Sequence, residues 1–157
     1  MSSDAVHSPT PPSANDNLRC VETYIACTPD VCWRALTDAS LLAAWVPGLR
    51  RARVIDRDEN GRAREVLFEF SASLTYSLVY SYDVPTRELR WEPRMGKRDG
   101  VRGYARLDAC DTGTRMTYAL EQGPGRSPSD LALGDPEALL VAFARWVESR
   151  LAFQRAT

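Results

Sequence analysis

From position 18 onward the apolar residues recur with two different periods, and the changes of period mark out the elements. In residues 18–27, Val21, Thr23 and Ile25 alternate with Cys20, Glu22 and Tyr24, the period of two of a half-buried strand. Thr28-Pro29 interrupts it, since threonine caps helices and proline suits the first helical position. Val31, Cys32, Ala35 and Leu36 then form a helical stripe. Asp38 is placed to cap a second short helix through Leu41, Leu42 and Trp45, which Pro47-Gly48 ends.

Strand periodicity then returns in six segments. Residues 49–57 run to Asp58-Glu59-Asn60-Gly61, and Asn-Gly is a hairpin signal. Residues 64–70 set Val66, Phe68 and Phe70 on one face. Residues 73–84 set Leu74, Tyr76, Leu78, Tyr80 and Tyr82 on one face and mostly serine and threonine on the other. Pro85-Thr86-Arg87 turns into 89–93, which carries Trp91. A polar connection over 95–100 leads to 101–110, and Asp111-Thr112-Gly113 turns into 114–121, where Met116, Tyr118 and Leu120 align. Short strands with tight turns predict an antiparallel meander. After a flexible loop at 123–134, Asp135 caps, Pro136 pre-sets and Glu137 electrostatically favours the start of the longest helix. Its stripe is Leu139, Leu140, Phe143, Trp146, Val147 and Leu151. Over 136–155 this helix spans about 30 Å at ~1.5 Å per residue, enough to cross a curved sheet.

The order strand, two short helices, six strands, long helix predicts an α+β fold. A seven-stranded curved antiparallel sheet wraps around the C-terminal helix, the short helices close one end, and a gap between helix and sheet is a natural apolar pocket. Residues 1–17, polar and proline-rich, are expected to be a disordered tail, leaving 18–157 as one domain.

Composition narrows the chemistry. The 157 residues carry 20 Lys and Arg against 21 Asp and Glu, a formal net charge of -1, which argues against a nucleic-acid partner. No apolar run approaches the ~20 residues of a membrane span, and no signal peptide pattern opens the chain, so a cytoplasmic location and no integral membrane association are expected. The one histidine, His7, lies in the tail, which argues against histidine-dependent triads and metal sites. Cys20, Cys27, Cys32 and Cys110 form no CxxC pair and are read as buried reduced thiols. No metal and no cofactor are expected. Arg50, Arg51 and Arg53 suggest an anion site, but nearby acids cancel their field.

Three stretches resemble a known superfamily: YIACTPDVCWRALTD at 24–38, LAAWVPG at 42–48, and GYARLDACDTGTRMTYAL at 103–120. In this order and spacing they are similar to the START/Bet v 1-like superfamily and, within it, to its polyketide cyclase/dehydrase and lipid transport group. The resemblance covers about residues 18–155. It implies the helix-grip fold and a cavity for hydrophobic or amphipathic molecules, while the motifs themselves encode packing rather than function. Trp33, Leu36 and Trp45 are read as packing the short helices, and Gly103 as allowing the long helix or a ligand to approach the sheet.

The residues placed to line such a cavity are Phe68, Phe70, Tyr76, Leu78, Tyr80, Trp91, Met116, Tyr118, Leu140, Phe143 and Val147, although a packed core uses the same residue types. Tyr76, Tyr80 and Tyr118 add polar tips that can orient a carbonyl or hydroxyl. Glu65, Glu69, Glu92 and Glu121 fall opposite the apolar positions, so no acid–base pair is evident. The expected role is binding or transport of a small hydrophobic partner, lipid-, polyketide- or isoprenoid-like. The alternatives are a polyketide aromatase/cyclase-type enzyme and a co-chaperone-like or stress-response interaction module.

Overall fold

Local signals set the element boundaries in the computed structural model, which describes residues 18–71, 74–94, 102–121 and 136–156. Strand β1 (Leu18–Ile25) ends short of Thr28, whose hydroxyl accepts the Val31 amide at 3.4 Å. Pro29 then takes the first turn of α1 (Pro29–Leu36). The Asp38 carboxylate accepts the Ser40 amide at 3.0 Å and opens a 3-10 turn, Ala39–Leu41, that runs into the four-residue α2 (Leu42–Trp45). Gly48, at φ 78°, turns the chain toward β2 (Arg51–Arg57). The remaining strands are β3 (Ala63–Ser71), β4 (Leu74–Asp83), β5 (Glu88–Pro93), β6 (Gly103–Cys110) and β7 (Gly113–Glu121), and α3 covers Pro136–Ala156.

The Asn-Gly signal marks a hairpin, but not of the two-residue kind. Only Gly61 is left-handed, at φ 82°, and the Asp58 carboxylate accepts the amides of Asn60 and Arg62, both at 2.9 Å. Aspartate organises a longer turn in which glycine alone takes the strained position.

All seven strands pair antiparallel in the order β1-β7-β6-β5-β4-β3-β2. Strands β1 and β2 are consecutive in sequence yet lie at opposite edges. The segment carrying α1 and α2 must therefore cross one end of the sheet, where α1 meets β6 and β7 and α2 meets β2 and α3. The tail at 1–17, Ser73, the connection at 95–100, Val101, the loop at 123–134 and the side chain of Leu151 lie outside the described residues.

Alternation separates two faces. The concave face buries Val66 and Phe68 from β3, Tyr76, Leu78 and Tyr80 from β4, Leu89 and Trp91 from β5, Ala105 and Leu107 from β6, and Met116, Tyr118 and Leu120 from β7. Helix α3 buries Leu139, Leu140, Phe143 and Val147 against this face, at the i, i+4, i+8 spacing of one helical stripe. Glu148 fixes the helix further along, its carboxylate accepting the Ala26 amide at 2.8 Å just past the end of β1.

The convex face carries ion pairs. Arg51 and Arg53 both reach Glu69, at 3.0 and 3.2 Å, so two of the three arginines suspected of an anion site are held by one carboxylate. The Arg51 guanidinium, hydrogen-bonded to Glu69, lowers the pKa of that carboxyl. Arg94 approaches Glu65 at 3.5 Å, and Arg102 reaches Glu121 at 3.2 Å and Glu92 at 3.6 Å. All four cysteines are free thiols, but only Cys27 and Cys32 are buried. Cys20 is exposed because it shares the outward face of β1 with Glu22 and Tyr24, and Cys110 is half-buried at the end of β6.

Candidate functional site

The space between sheet and helix is small. A cavity of about 30 Å³ remains, close to one water molecule's share of liquid volume. Its floor is the concave face at Phe68, Leu78, Tyr80, Leu89, Trp91 and Tyr118. Its roof is Leu36 from α1, Leu42, Trp45 and Val46 around α2, and Leu139 from the first turn of α3.

Part of the sequence-derived set therefore lines this cavity: Phe68, Leu78, Tyr80, Trp91 and Tyr118. The others are placed elsewhere. Tyr76 is buried and stacked between Phe68 and Phe70, with ring centroids 5.6 and 5.9 Å apart, and Phe70 is only half-buried. Met116, Leu140 and Phe143 are packed core, Phe143 with its ring centroid 4.9 Å from that of Trp45. Val147 faces a second concavity of about 290 Å³ between α1 and α3, shared with Val31, Arg34, Leu41 and Trp146.

The roof was missed by sequence reasoning. Leu36 and Trp45, read there as packing the short helices, do pack, but against the cavity. The available signal was the α1–α2 segment itself, which has to close one end of the sheet.

Small residues shape the floor. On the concave side β6 contributes Gly103, Ala105 and Leu107, the first two too small to cover their neighbours on β5 and β7. A Cβ on Gly103 would stand 2.2 Å from the Ala119 carbonyl oxygen and 3.0 Å from the Trp91 ring. What approaches this glycine is thus its neighbouring strands and the Trp91 ring, not the long helix. Trp91 in turn sits between the two tyrosines, its ring centroid 6.5 Å from that of Tyr80 and 5.3 Å from that of Tyr118.

These tyrosines are the polar part of the wall. Tyr80 and Tyr118 are 8% and 6% exposed. Neither hydroxyl has a hydrogen-bond partner among the described residues. Tyr82 makes the contrast, since its hydroxyl donates to the Ala63 carbonyl and its ring lies under Arg62. Burial raises the pKa of both Tyr80 and Tyr118, and for Tyr80 the neighbouring Tyr118 adds to the effect. Both remain neutral hydroxyls at physiological pH. Trp45 brings an indole N–H that is buried without a partner, and no charged side chain lines the cavity among the described residues. Chemically, the wall presents apolar surface and hydroxyls that can donate hydrogen bonds, with no group that takes up a proton near neutral pH.

A curved antiparallel sheet closed around a C-terminal helix, with two short helices after the first strand and an apolar space between, is the helix-grip architecture of START and Bet v 1 proteins. The chain belongs to the family described as polyketide cyclase / dehydrase and lipid transport, which matches residues 20–154. Solved structures share the fold at low sequence identity. A START superfamily protein from Mycobacterium smegmatis is 14% identical over 84% of this chain and 97% of its own, with a TM-score of 0.69. The Zhui aromatase/cyclase from Streptomyces sp. R1128 is 17% identical over 85% and 96%, with a TM-score of 0.62. A STAR-related lipid transfer protein from Xanthomonas axonopodis is 21% identical over 83% and 85%, with a TM-score of 0.59. No curated protein matches the sequence. Among the described residues no helix is long and apolar enough to cross a membrane, and no cluster of three or more His, Cys, Asp or Glu is placed to hold a metal.

Proposed function

We propose that this protein binds a small hydrophobic ligand between the concave sheet and α3. The observation that carries this reading is the apolar cavity roofed by Trp45, whose indole N–H is buried in its wall without a partner among the described residues. Buried polar side-chain atoms in native proteins are bonded in the large majority of cases, and leaving one unbonded costs about 1–3 kcal/mol. Family membership supports the same reading.

The cavity must open to admit a ligand, because about 30 Å³ is far below the ~150 Å³ of a cavity that takes up benzene. The shortest element of the roof is α2, a single turn that continues from the 3-10 turn before it. An outward shift of α2 would carry Leu42, Trp45 and Val46 away from Tyr80 and Trp91.

The same small volume favours a second reading, an interaction module whose interior is simply filled. An aromatase/cyclase role draws on the shaped apolar wall, but no lining residue among the described ones exchanges protons near neutral pH.

A methyl NMR titration with 2-ethylnaphthalene, an apolar probe, separates binder from interaction module. Binding should shift the methyl signals of Leu36, Leu78, Leu89 and Leu139. Shifts confined to the exposed Ile55, Val84 and Val141, or none up to the probe's solubility, would leave the interaction module as the better reading.

A further inference from the structure

We propose that the concavity between α1 and α3, which lies outside the space between sheet and helix, is a separate binding site for a small amphiphile carrying one carboxylate on a short hydrocarbon body. It stands whether or not the inner cavity takes a ligand.

Two helix faces build it. Helix α1 presents Val31, Arg34 and Ala35, spaced i, i+3, i+4, and α3 presents Trp146, Val147 and Arg150. Each wall thus sets one guanidinium beside apolar side chains. Val147 is buried, Val31, Ala35 and Leu41 are half-buried, and both arginines are exposed, so an apolar floor carries a cationic rim. The volume of about 290 Å³ lies at the lower end of the ~300–1,000 Å³ of small-molecule sites, room for one short hydrocarbon body.

Neither guanidinium is committed to an ion pair among the described residues. Two carboxylates of the same helices are engaged elsewhere, Asp30 with Arg87 at 2.6 Å and Glu148 with the Ala26 amide at 2.8 Å. Arg150 is held in place, its guanidinium 5.3 Å from the centre of the Trp146 ring. A guanidinium steadied over a ring keeps N–H donors for an anion and loses less freedom on binding one. Asp38 sets the charge of the ligand. It lines the same concavity, and its carboxylate accepts the Ser40 amide at 3.0 Å and the Ser40 hydroxyl at 2.5 Å. Against Arg34 and Arg150 it leaves one net positive charge, which a single carboxylate balances and a dianionic phosphate exceeds. A carboxylate also matches the guanidinium fork, while an uncharged hydrocarbon covers the floor and gains nothing from the rim.

Octanoate, 1-octanol and acetate, titrated into the full chain and read at the methyl NMR signals of Val31, Leu41 and Val147, test this. Octanoate should shift these signals and bind at least about tenfold more tightly than either 1-octanol or acetate, the scale of one charge-assisted hydrogen bond. Its affinity should fall as salt is raised, because both cations are exposed. Arg34→Gln and Arg150→Gln should each weaken octanoate about tenfold and leave 1-octanol within about twofold. As surface substitutions, both should keep the urea midpoint of the parent. Equal affinity for octanoate and 1-octanol, variants that bind octanoate as the parent does, or octanoate shifts confined to Leu78, Leu89 and Leu139 of the inner cavity would overturn the site. So would signals of Val31, Leu41 and Val147 that broaden with phosphatidylglycerol vesicles but do not respond to octanoate, which would make this face a membrane contact instead.

Discussion

Gly103 shows how far one missing methyl group can reach. It is buried in β6, opposite Leu120 of β7 and Trp91 of β5. A Cβ there collides with a backbone oxygen, Ala119 O at 2.2 Å, which cannot swing aside as a flexible side-chain end can. Gly103→Ala is therefore expected to destabilise the fold by about 1–3 kcal/mol, the usual cost of overpacking. Urea unfolding of the variant checks this, and an unchanged midpoint would mean that β7 yields without loss. The sequence marked this glycine as a point of close approach but assigned the approach to the long helix or a ligand, since strand neighbours far apart in sequence become visible only once register is known. The same limit applies along the wall. Alternation puts Phe68, Leu78, Tyr80, Trp91 and Tyr118 on the concave face, but it puts Tyr76 and Met116 there equally well. Whether an inward residue lines space or fills it depends on what lies above, which periodicity does not contain.

At the scale of elements, the boundaries were readable wherever a side chain acts on its own backbone. Thr28, Pro29, Asp38, Asp58 and Gly61 each satisfy or free a specific backbone group within four residues. The roof was not readable because it depends on a crossing between opposite sheet edges. Leu139 lines the cavity where Leu140 was expected because adjacent helical residues point about 100° apart, and a stripe that buries both does not say which meets the opening. One contact ties this helix to the sheet edge by a polar bond, the Glu148 carboxylate on the Ala26 amide at 2.8 Å. Removing it leaves the apolar packing of α3 intact but releases the end of β1. Glu148→Ala is expected to cost about 1–2 kcal/mol, in the range of hydrogen bonds to charged groups. Amide hydrogen exchange supplies the check: Ala26 should exchange faster while the amides of β4 and β5 keep their protection. Equal loss of protection across the sheet would show that the bond holds the whole fold rather than one junction.

Over the whole molecule, charge is sorted by face. The convex side pairs arginine with carboxylate in exposed networks, each worth little in stability. The interior holds instead groups that are neutral at physiological pH and become charged only in alkali. Burial is the leading cause for each of them. It raises the Cys32 thiol from 9.0 to about 11, raises the partly buried Tyr82 from 10.0 to about 12, and moves Tyr80 and Tyr118 upward as well. The sign of the resulting pH dependence follows from proton counting. Above the unfolded-state values the unfolded chain has released these protons while the folded chain still holds them. The unfolded state then binds fewer protons, and stability falls as pH rises. The stabilisation is complete below pH 9, begins to fall as the unfolded Cys32 thiol ionises, and falls more steeply above pH 10 as the tyrosines join. Asp30 and Glu69, lowered chiefly by hydrogen bonds from Arg87 and Arg51, work in the opposite sense, and their small contribution is lost as pH falls into the carboxylate range. Urea midpoints measured under reducing conditions from pH 8 to pH 11.5 should therefore decline progressively above about pH 9. Tyr118→Phe should flatten the decline above pH 10, because phenylalanine has no proton to lose. A midpoint independent of pH across this range would mean that water reaches these groups in the folded state. A closed, uncharged interior would then be the wrong description of the space between sheet and helix.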